Sequence, residues 1–265
     1  MKRRTLLLWL LFLSALPAAG QPLTVRLRSR LQPFKAADNW ETVTFSASIQ
    51  PNTSAILICD MWDNHWCRGA AERTAALARK ADPFLERLRR LGFLIIHAPS
   101  DTMVFYGEAP QRQAMLRIPA TATPPAADTR DPPLPIDDSD GGCDTPGDRS
   151  HKAWTRQHPA IHIGPEDLIS DKGSEVYSAL QSRGITHLFL MGVHTNMCIL
   201  NRSFAIRQMT RWGIRCILIR DLTDAMYDPG DRPYVSHAEG TEKVIEHIEK
   251  YWCPTVLSAE LLEGR

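Results

Sequence analysis

The sequence has no low-complexity tract and, beyond its first 20 residues, no apolar stretch long enough to be a transmembrane helix. It also has no Cys-x-x-Cys motif and no Cys/His spacing typical of zinc sites, which argues against a structural zinc. Lysine and arginine number 31 against 30 aspartate and glutamate, so there is no excess positive charge to attract nucleic acid. What remains is a chain of 265 residues, 43% hydrophobic, which suits one globular domain with a sizeable core.

The first 20 residues have the pattern of a secretory signal peptide. A basic MKRR segment precedes the apolar TLLLWLLFLSAL, and the small residues of PAAG end just before Gln21. The alternative is a retained membrane anchor. Cleavage would remove three basic residues and no acidic one, leaving a formal net charge of −2 instead of +1. We therefore expect an exported protein, periplasmic or extracellular, with no membrane attachment after cleavage and no nucleic-acid partner.

Export permits disulfides, and the chain has six cysteines. Cys59 and Cys216 lie in apolar, strand-like segments and are interpreted as core residues. Cys67, Cys143 and Cys253 lie in loops or at the ends of elements. One bridge among these three is possible, with Cys67–Cys143 the preferred pair.

Strand-like and helix-like segments alternate along most of the chain. Residues 21–50 alternate apolar and polar side chains and predict an N-terminal β extension. Residues 51–265 form the main domain, in which continuous apolar segments predict buried strands and amphipathic segments predict helices. The predicted strands are 55–59, 92–98, 159–163, 187–192, 215–221 and 255–257, and the predicted helices are 68–92 (interrupted near Pro83), 173–184, 196–213 and 237–252. This order is typical of an α/β domain with a mostly parallel sheet and helices on both faces.

Residues 101–158 break the alternation, because they are rich in Pro, Asp and Gly. A segment this long without regular elements is usually functional or mobile in a compact domain. We interpret it as an insertion over the carboxyl edge of the sheet that acts as a lid or defines the substrate.

Chemically capable side chains are predicted at the carboxyl ends of the strands, where open parallel sheets bind ligands. Asp60 follows the first buried strand, and Cys198 opens a helix after the fourth. His97 ends the second strand, with Asp101 four residues later. The amides at a helix N-terminus favour a thiolate and a developing oxyanion. Cys198 is therefore a candidate nucleophile with Asp60 as its proton acceptor, the alternatives being a buried structural cysteine and a capping or turn aspartate.

The segments around these residues resemble the isochorismatase-like cysteine hydrolases, which include nicotinamidases. AILICDMWDNHW resembles the family's opening strand, which ends in Asp, an apolar residue and a polar pair. LMGVHTNMCIL is similar to its Gly-Val-x-Thr-Asn/Asp-x-Cys-Val signature, and RDLTDAMYD resembles its next strand end. The resemblance covers roughly residues 53–100 and 158–225. It implies a three-layer α/β/α fold with a mostly parallel, Rossmann-like sheet.

The resemblance also implies a Cys-Asp-Lys triad. By carry-over, Cys198 is the nucleophile and Asp60 the general base. The family's cis peptide bond falls between Val193 and His194, and its oxyanion hole is formed by the backbone amides of His194 and Cys198. The implied chemistry is thiolate attack on a carbonyl, loss of an amine, and hydrolysis of the acyl-enzyme by water.

The lysine is where this sequence departs from the family. The family carries it just after the third strand, where this chain reads IHIGPEDLISDKGSEV, with Glu166 near the expected place. Lys172 is the nearest lysine, at the start of the following helix, and a solvated helix-end lysine is the alternative interpretation. Either Lys172 reaches the site, or Glu166 replaces the cation with the opposite charge, or the triad is incomplete.

The pocket and any metal are predicted more loosely. The Asp-x-His of nicotinamidases is not reproduced in HAPSD, so we expect no cofactor, with a divalent metal at His65, His97 and Asp101 as the alternative. Without a metal, His97 and Asp101 are pocket polar groups, and the tryptophans either line the pocket or pack their loop against the first helix. The predicted pocket comprises Trp62, His65, Trp66, His97, Asp101 and Glu166.

The function predicted from these residues is hydrolysis of a C–N bond in a small amide through a Cys198 acyl-enzyme. One alternative is hydrolysis of a vinyl ether, against which the presence of Cys198 argues. The other is a catalytically inactive protein that binds a small molecule or a partner, which the missing lysine favours. We expect a small-molecule substrate and self-association into a homo-oligomer, as proteins with this fold often show.

Overall fold

The structure, a computed structural model, describes residues 21–34, 39–125 and 131–264, and the predicted signal peptide lies outside them. The strands in these ranges are β1 (Leu23–Leu31), β2 (Glu41–Ile49), β3 (Ser54–Cys59), β4 (Leu94–Ala98), β5 (Leu168–Ile169), β6 (His187–Val193), β7 (Arg215–Asp224) and β8 (Thr255–Val256). The α-helices are α1 (Arg68–Leu91), α2 (Pro110–Leu116), α3 (Gly173–Ser182), α4 (Cys198–Asn201), α5 (Ile206–Arg211), α6 (His237–Tyr251) and α7 (Ser258–Glu263).

These strands form one sheet in the order β2-β1-β8-β7-β6-β3-β4-β5. From β8 to β5 all neighbours are parallel. The strand β1 pairs antiparallel with β8, and β2 pairs antiparallel with β1. The first two strands therefore form a hairpin that extends the parallel sheet at one edge. The mostly parallel α/β sheet predicted from the alternation of segments is confirmed.

Helices cover both faces of the sheet because successive strand residues point to opposite faces. Ile56 and Ile58 of β3 belong to a core shared with α1 and α7, which includes Leu85. Leu57 and Cys59 belong to the opposite core, shared with α3, α5 and α6. Burial on both sides explains why β3 is a continuous apolar segment after its first residue. The three-layer α/β/α architecture agrees with the prediction.

The first helix is more regular than the sequence predicted. It runs without interruption through Pro83, so the predicted break was wrong. A proline inside a helix costs about 3 kcal/mol. The part of α1 around Pro83 buries Phe84, Leu85 and Leu88. Burial of each such side chain stabilises the folded state by about 1.5–3 kcal/mol. Packing against the sheet therefore outweighs the lost hydrogen bond.

Two other predicted elements differ from the structure. Residues 159–163 form a turn rather than a strand, and the position beside β4 is taken by β5. Ile161 is buried from that turn, which explains the apolar pattern. The predicted helix 196–213 is divided into α4 and α5, because Arg202 adopts an extended conformation with φ −60° and ψ 149° between them.

Among the described residues, no helix combines the length and the apolar composition needed to cross a bilayer. The carboxyl ends of the parallel strands lie at one edge of the sheet, as parallel pairing requires. The described part of the predicted insertion, residues 101–158, contains α2 and contacts the loops at that edge.

Candidate active site

The loop after β6 is positioned by a close approach between two strand ends. The register between β6 and β7 shifts just before Gly192, which has φ 115°. A Cβ at Gly192 would lie 2.0 Å from the carbonyl oxygen of Cys59, so only glycine lets the ends of β6 and β3 meet. The chain then passes through a cis peptide bond between Val193 and His194, as the family resemblance implied, and α4 begins at Cys198.

Cys198 and Asp60 meet at this edge. Asp60 follows β3, is fully buried, and has φ 46°, a left-handed conformation that Asp tolerates better than most residues. One of its carboxylate oxygens accepts a hydrogen bond from the Ser100 N–H at 2.7 Å. The Cys198 thiol interacts with the same carboxylate, and the His194 backbone interacts with the thiol, and both interactions shift the pKa of Cys198. The structure thus brings together the candidate nucleophile, the candidate base and one of the two candidate oxyanion amides.

The positive charge beside this pair comes from Arg202. Its Nε donates to Oδ2 of Asp60 at 2.8 Å, and its Nη2 lies 3.6 Å from Oδ2 of Asp101. Its guanidinium carbon lies 5.9 Å from the centre of the Trp62 ring. Sequence reasoning missed this residue. Its position four residues after Cys198, about one helical turn on, is the signal that could have found it.

Burial dominates the protonation of the cluster. It raises the pKa of the Cys198 thiol well above its ordinary value, and the charge and hydrogen bond of Asp60 raise it further, against the opposing effects of Arg202 and the His194 N–H. Burial also raises the pKa of Asp60, although Arg202 and Cys198 lower it. The resting pair is a neutral thiol beside a carboxylate. The thiolate expected from the helix N-terminus is not favoured, because burial and the Asp60 charge both favour the neutral thiol.

Neither residue considered in place of the family lysine contacts this cluster within the described structure. Lys172 is the N-cap of α3, its side chain is 64% exposed, and its Nζ lies 3.7 Å from Glu175. Glu166 is exposed and lines a cleft of about 400 Å³ that includes Leu94, the first residue of β4. That cleft is at the amino edge of the sheet, opposite Cys198. Neither residue therefore takes the place of the family lysine. Glu166 precedes β5 at the amino edge, and Lys172, although it follows β5 at the carboxyl edge, pairs with Glu175 instead of Asp60.

His97 also lies away from the candidate nucleophile. It is fully buried, its Nδ1 lies 2.8 Å from Oε1 of Gln157, and its Nε2 lies 2.9 Å from Oδ2 of Asp167. Asp167 also accepts a hydrogen bond from Arg89 at 2.7 Å. Although burial raises the pKa of Asp167, His97 and Arg89 lower it to about 2. The expectation that His97 lines the substrate pocket is wrong, because strand alternation turns its ring into a buried network beside α1.

The residues considered for a metal do not converge. His97 contacts Gln157 and an aspartate, whereas Asp101 contacts the Arg202 side chain. Within the described ranges, one set of ligand-type atoms lies within 4.8 Å of one another, those of Cys67, Cys143 and a neighbouring aspartate. Its two sulfurs are joined in a disulfide, which offers a metal no thiolate.

An aromatic cluster stands beside the nucleophile loop. Trp62 stacks on Trp154 with ring centres 4.1 Å apart, and His65 stacks on Trp154 at 5.8 Å. The His65 ring also meets the His194 ring edge-on at 5.0 Å and contacts Trp66. Burial lowers the pKa of His65 to about 4 and that of His194 to about 3, so both imidazoles are neutral near pH 7. The three expected pocket residues of this loop lie together. Trp154, contributed by the insertion, was not anticipated.

The insertion is fastened over this edge at several points. The disulfide Cys67–Cys143, the pair preferred from the sequence, joins it to the start of α1. Asn196 of the cysteine motif donates to Asp138 at 2.7 Å. Near its end, Gln157 forms an isolated antiparallel bridge to the segment after β3. The insertion therefore covers the carboxyl edge of the sheet, and the motif asparagine has a positioning contact that its sequence pattern did not reveal.

Comparison with solved structures identifies the class of fold. A cysteine hydrolase from Pseudomonas syringae pv. phaseolicola superimposes with a TM-score of 0.52 at 18% identity, over 81% of this chain and 92% of that chain. An isochorismatase from Pseudomonas putida has a TM-score of 0.48 at 15% identity, over 80% and 91%. PnC1 from L. infantum, solved in complex with nicotinate, has a TM-score of 0.43 at 15% identity, over 80% and 96%.

No protein-family model matches the chain, and no curated protein matches it. The structural likeness nevertheless agrees with the resemblance carried by the sequence motifs, and the chain has the isochorismatase-like α/β fold. One fold supports many activities, so the activity of this chain has to be argued from its own residues.

Proposed function

We propose that this protein is a cysteine hydrolase that cleaves a C–N bond in a small amide, with Cys198 as the nucleophile. The supporting observation is the chain of contacts from the Cys198 thiol to the buried Asp60 carboxylate, and from that carboxylate to Arg202. A cysteine that only filled the core would need no carboxylate beside it. Burying a charged group is costly, so this arrangement is difficult to explain by packing alone.

In the first half-reaction Asp60 acts as the general base. The thiol proton passes to Asp60 as the sulfur attacks the substrate carbonyl, and the amides of His194 and Cys198 stabilise the oxyanion. Protonated Asp60 then gives this proton to the leaving amine as the C–N bond breaks, and a thioester remains on Cys198. The raised pKa of Asp60 suits this role, because a carboxyl group that titrates closer to neutral pH both accepts and returns a proton.

In the second half-reaction water attacks the thioester. Asp60 accepts a proton from the water, the C–S bond breaks, and Asp60 returns the proton to the departing sulfur of Cys198 as the carboxylic acid is released. Arg202 does not exchange protons, since a guanidinium stays charged in proteins. Its fixed charge favours ionised Asp60 at rest. Arg202 supplies a cation beside the aspartate. The absence of a cation from the family's lysine position is what favoured the inactive binding-protein alternative.

The proposal includes export and a small-molecule substrate. The Cys67–Cys143 disulfide supports export, because such bonds persist in oxidising compartments. The aromatic cluster and the insertion beside Cys198 support a small substrate, since they cover the nucleophile with side chains suited to a compact ligand. No cofactor takes part in the proposed steps.

Trapping the acyl-enzyme tests the proposal. The chain is mixed with a panel of small amides, quenched in acid, and measured by intact mass and peptide mapping, with amine release followed in parallel. We expect a mass increase equal to the acyl group on Cys198, and none in Cys198→Ala or Asp60→Asn. The control Cys216→Ala, at a buried free cysteine in the same sheet, should keep the adduct.

The other outcomes separate the alternatives. Release of product from a vinyl ether, with no amide cleaved, would support ether hydrolysis instead. Saturable binding of a panel compound without turnover or adduct would support the inactive binding protein.

A further inference from the structure

The outer edge of β2 is a long strand edge at the end of the sheet. Over its nine residues, Glu41–Ile49, β2 pairs with β1 on one side only, and it ends the strand order. At the other end of the sheet, β5 has two residues. In the part of the chain that the structure describes, the outward backbone N–H and C=O groups of β2 therefore have no strand partner.

β2 has few of the features that usually protect an edge strand. Such strands are typically very short, or carry lysine, proline or a bulge that blocks further pairing. β2 has no lysine and no proline, and its one charged residue, Glu41, is at its first position. Its register with β1 is unbroken from end to end. An edge with these properties is a template for another strand.

The sequence of β2 is self-complementary about its central residue, Phe45. From Phe45 outward, both directions give a hydroxyl residue, an apolar residue and a hydroxyl residue. If two copies of β2 pair antiparallel about a two-fold axis at Phe45, hydroxyl residues face hydroxyl residues and apolar residues face apolar residues across the new strand pair. The pairs are then Phe45 with Phe45, Thr44 with Ser46, Val43 with Ala47, and Thr42 with Ser48.

The apolar side of this edge is partly open. Phe45 is 44% exposed, and with Leu27, Ala47 and Trp252 it lines a cleft of about 420 Å³. Pairing about the two-fold axis would bring the Phe45 rings of the two copies next to each other and bury this surface. Aromatic pairs across strands stabilise such contacts beyond the area they bury.

We propose that β2 is a homodimer interface, at which two copies pair antiparallel about Phe45 and join their sheets into one. The self-complementary pattern favours a second copy of β2 as the partner. An unrelated strand would not in general place hydroxyl residues opposite hydroxyl residues and apolar residues opposite apolar residues. This interface would account for the self-association that the sequence predicts. It is independent of the proposed hydrolase function, because three strands separate β2 from β6, which carries the Cys198 loop.

Sedimentation equilibrium of the purified chain over a range of concentrations tests the interface. The unaltered chain should shift from monomer to dimer as concentration rises. Phe45→Lys and Phe45→Glu should each weaken association by roughly tenfold or more, because like charges would face each other across the axis. An equimolar mixture of these two variants should form a mixed dimer. The control Phe105→Lys, at another aromatic residue that is 55% exposed, should leave association unchanged.

A chain that stays monomeric at every concentration would overturn the proposal. So would a dimer that persists in both Phe45 variants, or a mixture of the two that remains monomeric. Circular dichroism checks that each variant folds. Amide hydrogen exchange of residues 41–49 in the unaltered chain is an independent test: we expect protection that increases with concentration, and concentration-independent exchange would also overturn the interface.

Discussion

At Cys198 the starting point of the proposed chemistry is a thiol, because burial and the neighbouring carboxylate both raise its pKa. A pre-formed thiolate would need a cation as its nearest charge. Here the cation, Arg202, contacts the sulfur's partner, Asp60, in a hydrogen bond of 2.8 Å. Proton transfer and nucleophilic attack are therefore coupled, and the reactivity of Cys198 depends on Asp60.

Asp60→Asn should separate the reactivity of the thiol from turnover. The substitution removes the Asp60 charge, which raises the pKa of Cys198, and replaces one carboxylate oxygen with an N–H donor, while Arg202, which lowers that pKa, remains. We expect the thiol to titrate at lower pH than in the unaltered chain and to react faster with iodoacetamide near neutral pH, although amide hydrolysis is lost. Alkylation rates measured by intact mass against pH check this, with Cys198→Ala identifying the signal. A thiol pKa that rises in Asp60→Asn would contradict the contact.

Arg202→Met should reduce kcat/KM for any amide substrate by about 10²–10³-fold, because it removes the cation paired with the buried Asp60 carboxylate. The guanidinium lowers the pKa of both Asp60 and Cys198, so both should titrate higher without it. Arg202→Lys should recover part of the activity, since it keeps the charge but not the planar fork.

Arg207→Met is the matched control for this substitution. Arg207 is an arginine of α5 paired with Asp131 at 3.2 Å, and its loss should leave kcat/KM within about twofold. Full activity in Arg202→Met would remove Arg202 from the mechanism.

Among the elements, the junction of β6 and α4 depends on a single backbone position, Gly192. Gly192 and Gly213 both have positive φ, 115° and 82°, but only at Gly192 would a Cβ meet backbone, at 2.0 Å from the Cys59 carbonyl oxygen. Gly213→Ala should cost about 1–2 kcal/mol of unfolding free energy, from the left-handed conformation alone. Gly192→Ala should cost more than about 4 kcal/mol, because β6 and β3 would have to move apart.

Urea unfolding of the two glycine variants measures this difference. Equal losses of stability would show that the ends of β6 and β3 do not depend on a close backbone approach. Loss of soluble protein in Gly192→Ala alone would agree with the expectation, since Gly213→Ala controls for the conformational strain.

The division between α4 and α5 shows the limit of periodicity at the scale of elements. The segment 196–213 has a helical pattern, yet Arg202 turns out of the helix and its side chain reaches Asp60. Gly173 of α3 packs against the break, where its N–H donates to the Ser203 hydroxyl at 2.9 Å. Both contacts come from distant parts of the chain, so the local pattern contains no sign of them.

In the molecule as a whole, a buried ion cluster attaches the N-terminal hairpin to α6. The carboxylate of Glu249, whose side chain is fully buried, accepts hydrogen bonds from Arg28 at 2.6 Å and Arg30 at 3.3 Å. Removing Glu249 leaves Arg28 and Arg30 without the one fully buried carboxylate of the cluster, with the more exposed Glu242 and Glu246 as partners. Glu249→Ala should therefore lower the free energy of unfolding by about 3–5 kcal/mol.

Glu246→Ala provides the comparison for the ion cluster. Glu246 also pairs with Arg30, at 2.9 Å, but its side chain is 33% exposed, so its removal should cost less than about 1 kcal/mol. Thermal and urea unfolding of both variants test the difference. Similar losses would mean that the hairpin is held mainly by its apolar contacts.

The sequence by itself determined the class of fold and the candidate nucleophile. Continuous apolar segments such as AILIC and HLFLMG predict buried parallel strands, because burial on both faces needs apolar residues at every position. The motif around Cys198 is contiguous, so it could be recognised without knowing which strands are neighbours. The Cys67–Cys143 pair was also preferred on local grounds, because both residues lie in loop-like positions.

Only the tertiary structure decided which charges surround Cys198. Arg202 and Asp60 are 142 positions apart, and they meet because β6 pairs with β3 in parallel. The same geometry turns His97 away from the site and leaves Lys172 exposed, whereas Trp154 of the insertion is brought onto Trp62. Local propensity fixes strands and helices from neighbouring residues, but the contacts that tune a thiol depend on strand order, strand register and the path of a long insertion.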